Sequence, residues 1–364
     1  MCLSVLESFQ DRLQNRIEQK EKIITMKKLP GITLCLGIAM PAWLVGSSFP
    51  LIGSPVLGIL LGMMIARLCA GFLTDQHRSH FDCGIKYASK KLLQYSIILL
   101  GFEMDLMNVL RIGKQSLFII LFTLSASFIT AFIVGKFLGL EGKMTALIGV
   151  GTSICGGSAI AATAPVIQAE DKDVSQAIST IFLFNIAAVF IFPVLGQALG
   201  MSDIGFGMWA GTAINDTSSV VAAGAAWSNI SGNNTALAFA TVVKLTRTLM
   251  IVPITLVLAF YMMKQKRNTD FEVKFKFRDI FPWFVLAFIA ATVLNTLLGV
   301  PDLLSQIIVS IGKFGIVMAM AGVGLNTDIH KLLTNGGKPI LLGLCCWFSV
   351  AGVSLLIQQL LGLW

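Results

Sequence analysis

Charge is what this chain has least of. Asp, Glu, Lys and Arg make up 13% of its 364 residues, against about a quarter in soluble domains. That scarcity, with 55% hydrophobic residues, excludes an ordinary soluble enzyme. Chemistry-bearing motifs are missing too. No GxxxxGK[ST] run occurs, so ATP hydrolysis by a P-loop is not expected. No nucleophile elbow, zincin motif or paired-cysteine motif occurs either, so the chain is read as no enzyme and without a cofactor or metal. Seven cysteines lack framework spacing and are expected as free thiols. His77 and His80 stand without carboxylate or cysteine support and read as surface residues.

What is present is apolar length. Eleven hydrophobic segments are visible, roughly 30–48, 50–70, 90–108, 115–137, 144–168, 174–199, 204–227, 235–263, 280–299, 304–326 and 339–362. Many approach or exceed the ~20 residues that cross ~30 Å of hydrocarbon. The fold class is therefore an all-α polytopic membrane protein. Its transmembrane domain covers 29–364, and residues 1–28 precede it. Leu6, Phe9, Leu13 and Ile17 recur there at helical spacing among charges, as in an amphipathic helix on the inner leaflet. The segment is too charged for a signal peptide's apolar core.

The net charge of +8 belongs to topology, not to nucleic acid. With a cytoplasmic N-terminus and every segment spanning, most Lys and Arg fall on one side, in 1–28, 67–91, 136–143, 264–278 and 328–338. Arg111, Lys114 and Lys172 fall on the other side, and Lys244, Arg247 and Lys313 inside apolar segments. By the positive-inside rule the N-terminus is cytoplasmic and Trp364 is external.

One apolar segment has an odd centre. GVGTSICGGSAIAATAP, residues 149–165, puts glycines and small polar groups where lipid demands satisfied backbone. A second stretch echoes it, since GTSICGGSAIAA (151–162) aligns with GTAINDTSSVVA (211–222). Both segments can span, which makes them parallel, or both can be re-entrant; the charge pattern permits either. In each case a glycine-rich break frees backbone groups that must face protein or a wet cavity. A half-helix starting at the break offers its positive end to an anion. A further echo, GFEMDLMNVL (101–110) with GLNTDIHKLL (324–333), ends segments that run oppositely. This is the pattern of an inverted repeat, from which secondary transporters are built.

The candidate substrate-binding residues are accordingly Gly151, Thr152, Ser153, Cys155, Gly156, Gly157 and Ser158 in the first stretch, and Thr212, Asn215, Asp216, Thr217 and Ser218 in the second. Lys244 and Arg247, in TVVKLTR, join them. Being three apart, they share a helix face. An ionisable group inside a membrane segment normally has a partner and a task. Two tasks are open for Asp216. It is either a coupling site for a proton or sodium ion, or a charge-balancing partner for Lys244 and Arg247 as they bind an anion.

GTSICGGSAIAA, GTAINDTSSVVAAGA and VVKLTR, in this order and spacing, resemble the YeiH-type bacterial inner-membrane family, whose members carry a sulfate-exporter label. The resemblance covers roughly residues 30–364. It implies kinship with the antiporter and bile-acid-symporter clan, with inverted repeats, a core and a panel domain, and broken helices crossing at midplane. With no enzyme motif present, the expectation is a secondary transporter in a bacterial inner membrane, exporting or exchanging a small, sulfate-like anion coupled to protons or sodium. A cation/proton antiporter using Asp216, or an anion channel, is the alternative. The partners expected are the anion and membrane lipid, with no nucleic acid; a homodimer is compatible with the sequence.

Overall fold

Side-chain placement on the longest apolar helix shows which solvent the fold is made for. In α5 (Leu106–Phe137) the polar Ser116, Thr123 and Ser127 are fully buried, while Phe118, Phe122, Phe132 and Phe137 are exposed. Water would reverse that order; hydrocarbon does not. The same inversion holds for an all-helical architecture in a computed structural model, which describes residues 28–46, 53–69, 75–265, 281–327 and 336–364. Among the described residues no strand occurs. The N-terminal amphipathic segment, most of the basic 264–278 loop and Asp328 lie outside them.

Among the described residues six helical spans are long and apolar enough to cross a membrane: α1 (Lys28–Gly46), α5, α8 (Asp171–Ala198), α11 (Thr235–Leu249) continued by the first part of α12 (Ile251–Gln265), α14 (Asp302–Leu325) and α15 (Gly337–Leu360). Two shorter apolar helices are α2 (Ser54–Cys69) and α13 (Trp283–Leu298). Helix α3 (Asp75–Tyr87) runs through a π-helical stretch, Ala88–Leu92, into α4 (Leu93–Leu100) and a 3₁₀ turn, Gly101–Glu103. Asp105 then starts α5 by accepting bonds from the backbone N–H of Met107 and Asn108, an N-cap that satisfies two orphan donors.

The helices form two packed groups. In one, α2 lies against α14 so closely that Gly62 and Gly324 meet opposing backbone; α1, α4 and α13 complete it. Small residues allow that approach where no hydrophobic drive joins helices in lipid. The other group holds α5, α8, α11 and α15, with four short helices between them: α6 (Gly142–Ser153), α7 (Gly157–Thr163), α9 (Asp203–Ala213) and α10 (Thr217–Ser231).

The short helices decide the question the sequence left open. The segments 144–168 and 204–227 do not run straight through; each folds back on itself. At the feet of α9–α10, Trp227 Nε1 donates to Asp203 Oδ1 at 2.6 Å, and Phe206 stacks on Trp227 with centroids 4.1 Å apart. Helix α11 runs beside both arms, close to α9 at Gly207 and Gly211 and close to α10 at Gly224. At the feet of α6–α7, Lys143 Nζ donates to Gln168 O at 2.7 Å. Both are hairpins of two half-helices. Helix α8, 28 residues and therefore about 42 Å long, joins the feet of the first hairpin to those of the second. The hairpins therefore point toward each other from opposite ends of the bundle.

Candidate functional site

The two tips meet halfway along α8, and their backbone explains why they turn. Helix α6 stops at Ser153, and the chain reverses at Gly156, whose φ of 69° and ψ of −130° suit a residue without Cβ. Gly156 N donates back to Gly151 O at 2.9 Å. Helix α9 stops at Ala213, and there the turn is made by extended residues. Asp216 (φ −94°, ψ 143°) N-caps α10, accepting from Ser218 N at 2.9 Å and from Ser218 Oγ. The breaks have equal length and keep the sequence alignment, with Ile154 matching Ile214 and Gly156 matching Asp216. A Cβ on Gly156 would lie 3.6 Å from Asp216 Cβ, so the matched residues touch.

Each break leaves carbonyls at a helix C-terminus without N–H partners, and these carry negative dipole charge. Lys244 and Arg247, one turn apart on α11, satisfy both sets. Lys244 Nζ donates to Ile154 O at 2.9 Å, to Ile214 O at 3.1 Å and to Asn215 O. Three acceptors use all three N–H groups of an ammonium. Arg247 Nε donates to Ser153 O at 2.7 Å. Its two terminal nitrogens reach matched carbonyls, Nη1 to Thr212 O at 2.6 Å and Nη2 to Thr152 O, and Nη1 also reaches Ile214 O at 3.1 Å. Both side chains are fully buried. The cations thus sit between two half-helix ends and join two matched pairs of carbonyls, Thr152 with Thr212 and Ile154 with Ile214, while Ser153 O and Asn215 O add one further acceptor from each hairpin.

This placement differs from a direct ion pair with Asp216. Among the described residues its carboxylate bonds to Ser218, and the cations bond to carbonyls. Two cations and one carboxylate still leave one formal positive charge at the crossing.

Asn185 is the residue sequence reasoning missed. It stands midway along α8, 2% exposed, and its Oδ1 accepts from Asn215 N and Asp216 N, both at 3.1 Å. Its Nδ2 would lie 3.6 Å from a Cβ on Gly156. A lone Asn in FLFNIAAVF (182–190) was the available signal, since amides inside a span hydrogen-bond across helices. Helix α15 adds a second unforeseen contact, with Ser354 Oγ 2.6 Å from Thr212 Oγ1.

The remaining candidates divide by exposure. Gly151, Thr152, Ser153, Cys155, Gly156, Thr212, Asn215 and Ser218 are buried. Ser153 Oγ bonds Val150 O at 3.0 Å. The Thr152 hydroxyl and both ends of the Asn215 amide have no hydrogen-bond partner among the described residues. Gly157, Asp216 and Thr217 are half-buried and Ser158 is exposed, so the crossing opens on the side where α7 and α10 begin. Helix N-termini, with their positive dipole ends, face that side.

The family model described as Conserved hypothetical protein 698 matches residues 30–343. A UPF0324 membrane protein of Streptococcus mutans serotype c is 49% identical over 348 residues, 94% of this chain and 99% of the relative. Another, from Fusobacterium nucleatum subsp. nucleatum, is 48% identical over 351 residues, 92% and 99% of the two chains. A third, from Streptococcus agalactiae serotype V, is 50% identical over 341 residues, 93% and 99%.

Proposed function

We propose that this chain, which belongs to the YeiH-type UPF0324 family of membrane proteins, is a secondary transporter that exports or exchanges a small anion of the sulfur-oxyanion class. The observation that carries this reading is the crossing itself. Two hairpins from opposite ends meet midway along α8, with matched carbonyls held by one pair of cations. Discontinuous helices meeting at midplane are how inverted-repeat transporters build a substrate site, and their half-helix N-termini point at anionic groups. Here the starts of α7 and α10 form the half-exposed face, and one net positive charge stands behind it. Read as an inverted repeat, the two hairpins correspond, with Ile154 matching Ile214 and Gly156 matching Asp216.

In this reading the long and short apolar helices and the α3–α4 helix cross the bilayer of a bacterial inner membrane, while the hairpins enter without crossing. The N-terminus is then cytoplasmic and Trp364 external. Lys172 moves to the side of Lys136 and Lys143, which strengthens the basic bias. Asp216, half-buried at the open face, is the carboxylate placed to couple transport to a proton. A channel would need a continuous polar path, and Thr152 to Gly156 are buried at the crossing.

Counterflow in proteoliposomes tests the proposal. Vesicles loaded with unlabelled sulfate, sulfite or an alkyl sulfonate should accumulate the labelled anion transiently. Passive equilibration without overshoot would indicate a channel, and no uptake of any oxyanion would overturn the reading.

A further inference from the structure

In transporters with discontinuous helices, unwound carbonyls and half-helix C-termini coordinate a coupling sodium ion. This chain has the same kind of oxygen cage at the ends of α6 and α9, and the cage is full. Its oxygens belong to Thr152, Ser153, Ile154, Thr212, Ile214 and Asn215, and every one accepts from Lys244 or Arg247. We infer that Lys244 and Arg247 are tethered replacements for the coupling cation, so that the crossing is assembled without sodium and transport through it is sodium-independent. The inference rests on the transporter reading for its transport half only; the occupied cage stands on the geometry.

Three features carry it. The ammonium spends its donors as a bound monovalent cation spends its charge, on oxygens from both hairpins at once. The guanidinium reaches the matched carbonyls of Thr152 and Thr212 with its two arms, so the pair belongs to the crossing and not to one hairpin. Both side chains are fully buried, so a sodium ion entering the same cage would face two fixed positive charges within a few ångströms, at low dielectric. An ion that binds and leaves can drive a cycle. A side chain fixed to α11 cannot leave, and it keeps the two tips joined whatever the ionic composition on either side.

The experiment compares the full-length protein in sodium chloride and in choline chloride at equal ionic strength, by thermal unfolding and by sulfate counterflow. Both should agree within about twofold in rate, with no sodium-specific shift in the melting temperature. A tenfold sodium requirement, or a sodium-specific rise in melting temperature, would overturn the inference while leaving the transporter reading standing. Failure of counterflow in both salts would sink that reading and leave the thermal comparison to decide the cage. As a second arm, Lys244→Ala should melt lower and regain part of the loss in millimolar methylammonium or sodium but not in choline, which is too large for the vacated space. Arg247→Ala should respond to methylguanidinium in the same way. Variants that melt like the parent and ignore every cation would show that the cage needs no cation, contrary to the inference. If neither variant can be purified, the sodium comparison on the parent chain decides alone.

Discussion

Replacing Arg247 by Met removes the guanidinium and keeps an unbranched apolar stem. Three carbonyls, those of Thr152, Ser153 and Thr212, then lose their hydrogen-bond donor. Ile214 O keeps Lys244. No backbone N–H reaches the three orphans among the described contacts. A buried unsatisfied carbonyl costs ~1–3 kcal/mol, which gives about 3–9 kcal/mol for the three before correction. Removing a buried charge gives some of this back, and hydrogen bonds between membrane helices average only ~0.6 kcal/mol in double-mutant cycles. Those two corrections act against the upper end of the range, and the low end is the figure to use. About 3 kcal/mol corresponds to roughly a hundredfold in the folding equilibrium. Equilibrium unfolding in mixed micelles, followed by tryptophan fluorescence, reads it directly. Arg247→Lys should fall between the two, because an ammonium lacks the fork that spans both hairpins. Arg247→Met within about 0.5 kcal/mol of the parent would refute the assignment of the guanidinium as the clasp.

Asn185→Leu should lower stability by ~1–3 kcal/mol, because the N–H groups of Asn215 and Asp216 lose their acceptor, and should abolish counterflow; Asn185→Asp keeps the acceptor and should retain folding. Gly156→Ala should cost ~1–2 kcal/mol, because its φ of 69° crowds a Cβ, whereas Gly157→Ala should fold normally, its nearest neighbour being Ile178 Cγ2 at 3.9 Å. Cys155, 3% exposed, should react slowly with an aqueous thiol reagent, and a cysteine at exposed Ser158 quickly, with sulfate slowing the second. Equal rates at the two positions would remove the open face from the account.

Much of this site was legible in the sequence because membrane interiors punish polar residues that have no task. The two glycine- and serine-rich stretches stand out for that reason, and their alignment survives as two breaks of equal length. Lys244 and Arg247 were visible as charges in an apolar helix, but their partners were not. Sequence pairs opposite charges by habit, and backbone carbonyls carry no letter. The hairpins were hidden for a related reason. An apolar run long enough to span reads the same whether it crosses or folds back. Only contacts between distant feet, such as Asp203 with Trp227, tell the two apart. Asn185 was readable as one amide among phenylalanines, yet nothing in its neighbourhood names the backbone N–H groups it holds. The six long candidate spans were the easiest part, since hydropathy and length alone mark them.

Side-specific cysteine accessibility in a cysteine-free background tests the opposed hairpins most directly. Single cysteines at Glu141 and Glu170 flank the first hairpin, and at Ser202 and Asn233 the second; all four native residues are exposed. In intact cells an impermeant maleimide should label positions 202 and 233 and spare 141 and 170, and inverted vesicles should give the reverse. If 141 and 170 label from opposite sides, or 202 and 233 do, that segment crosses the membrane and no two tips meet at its centre.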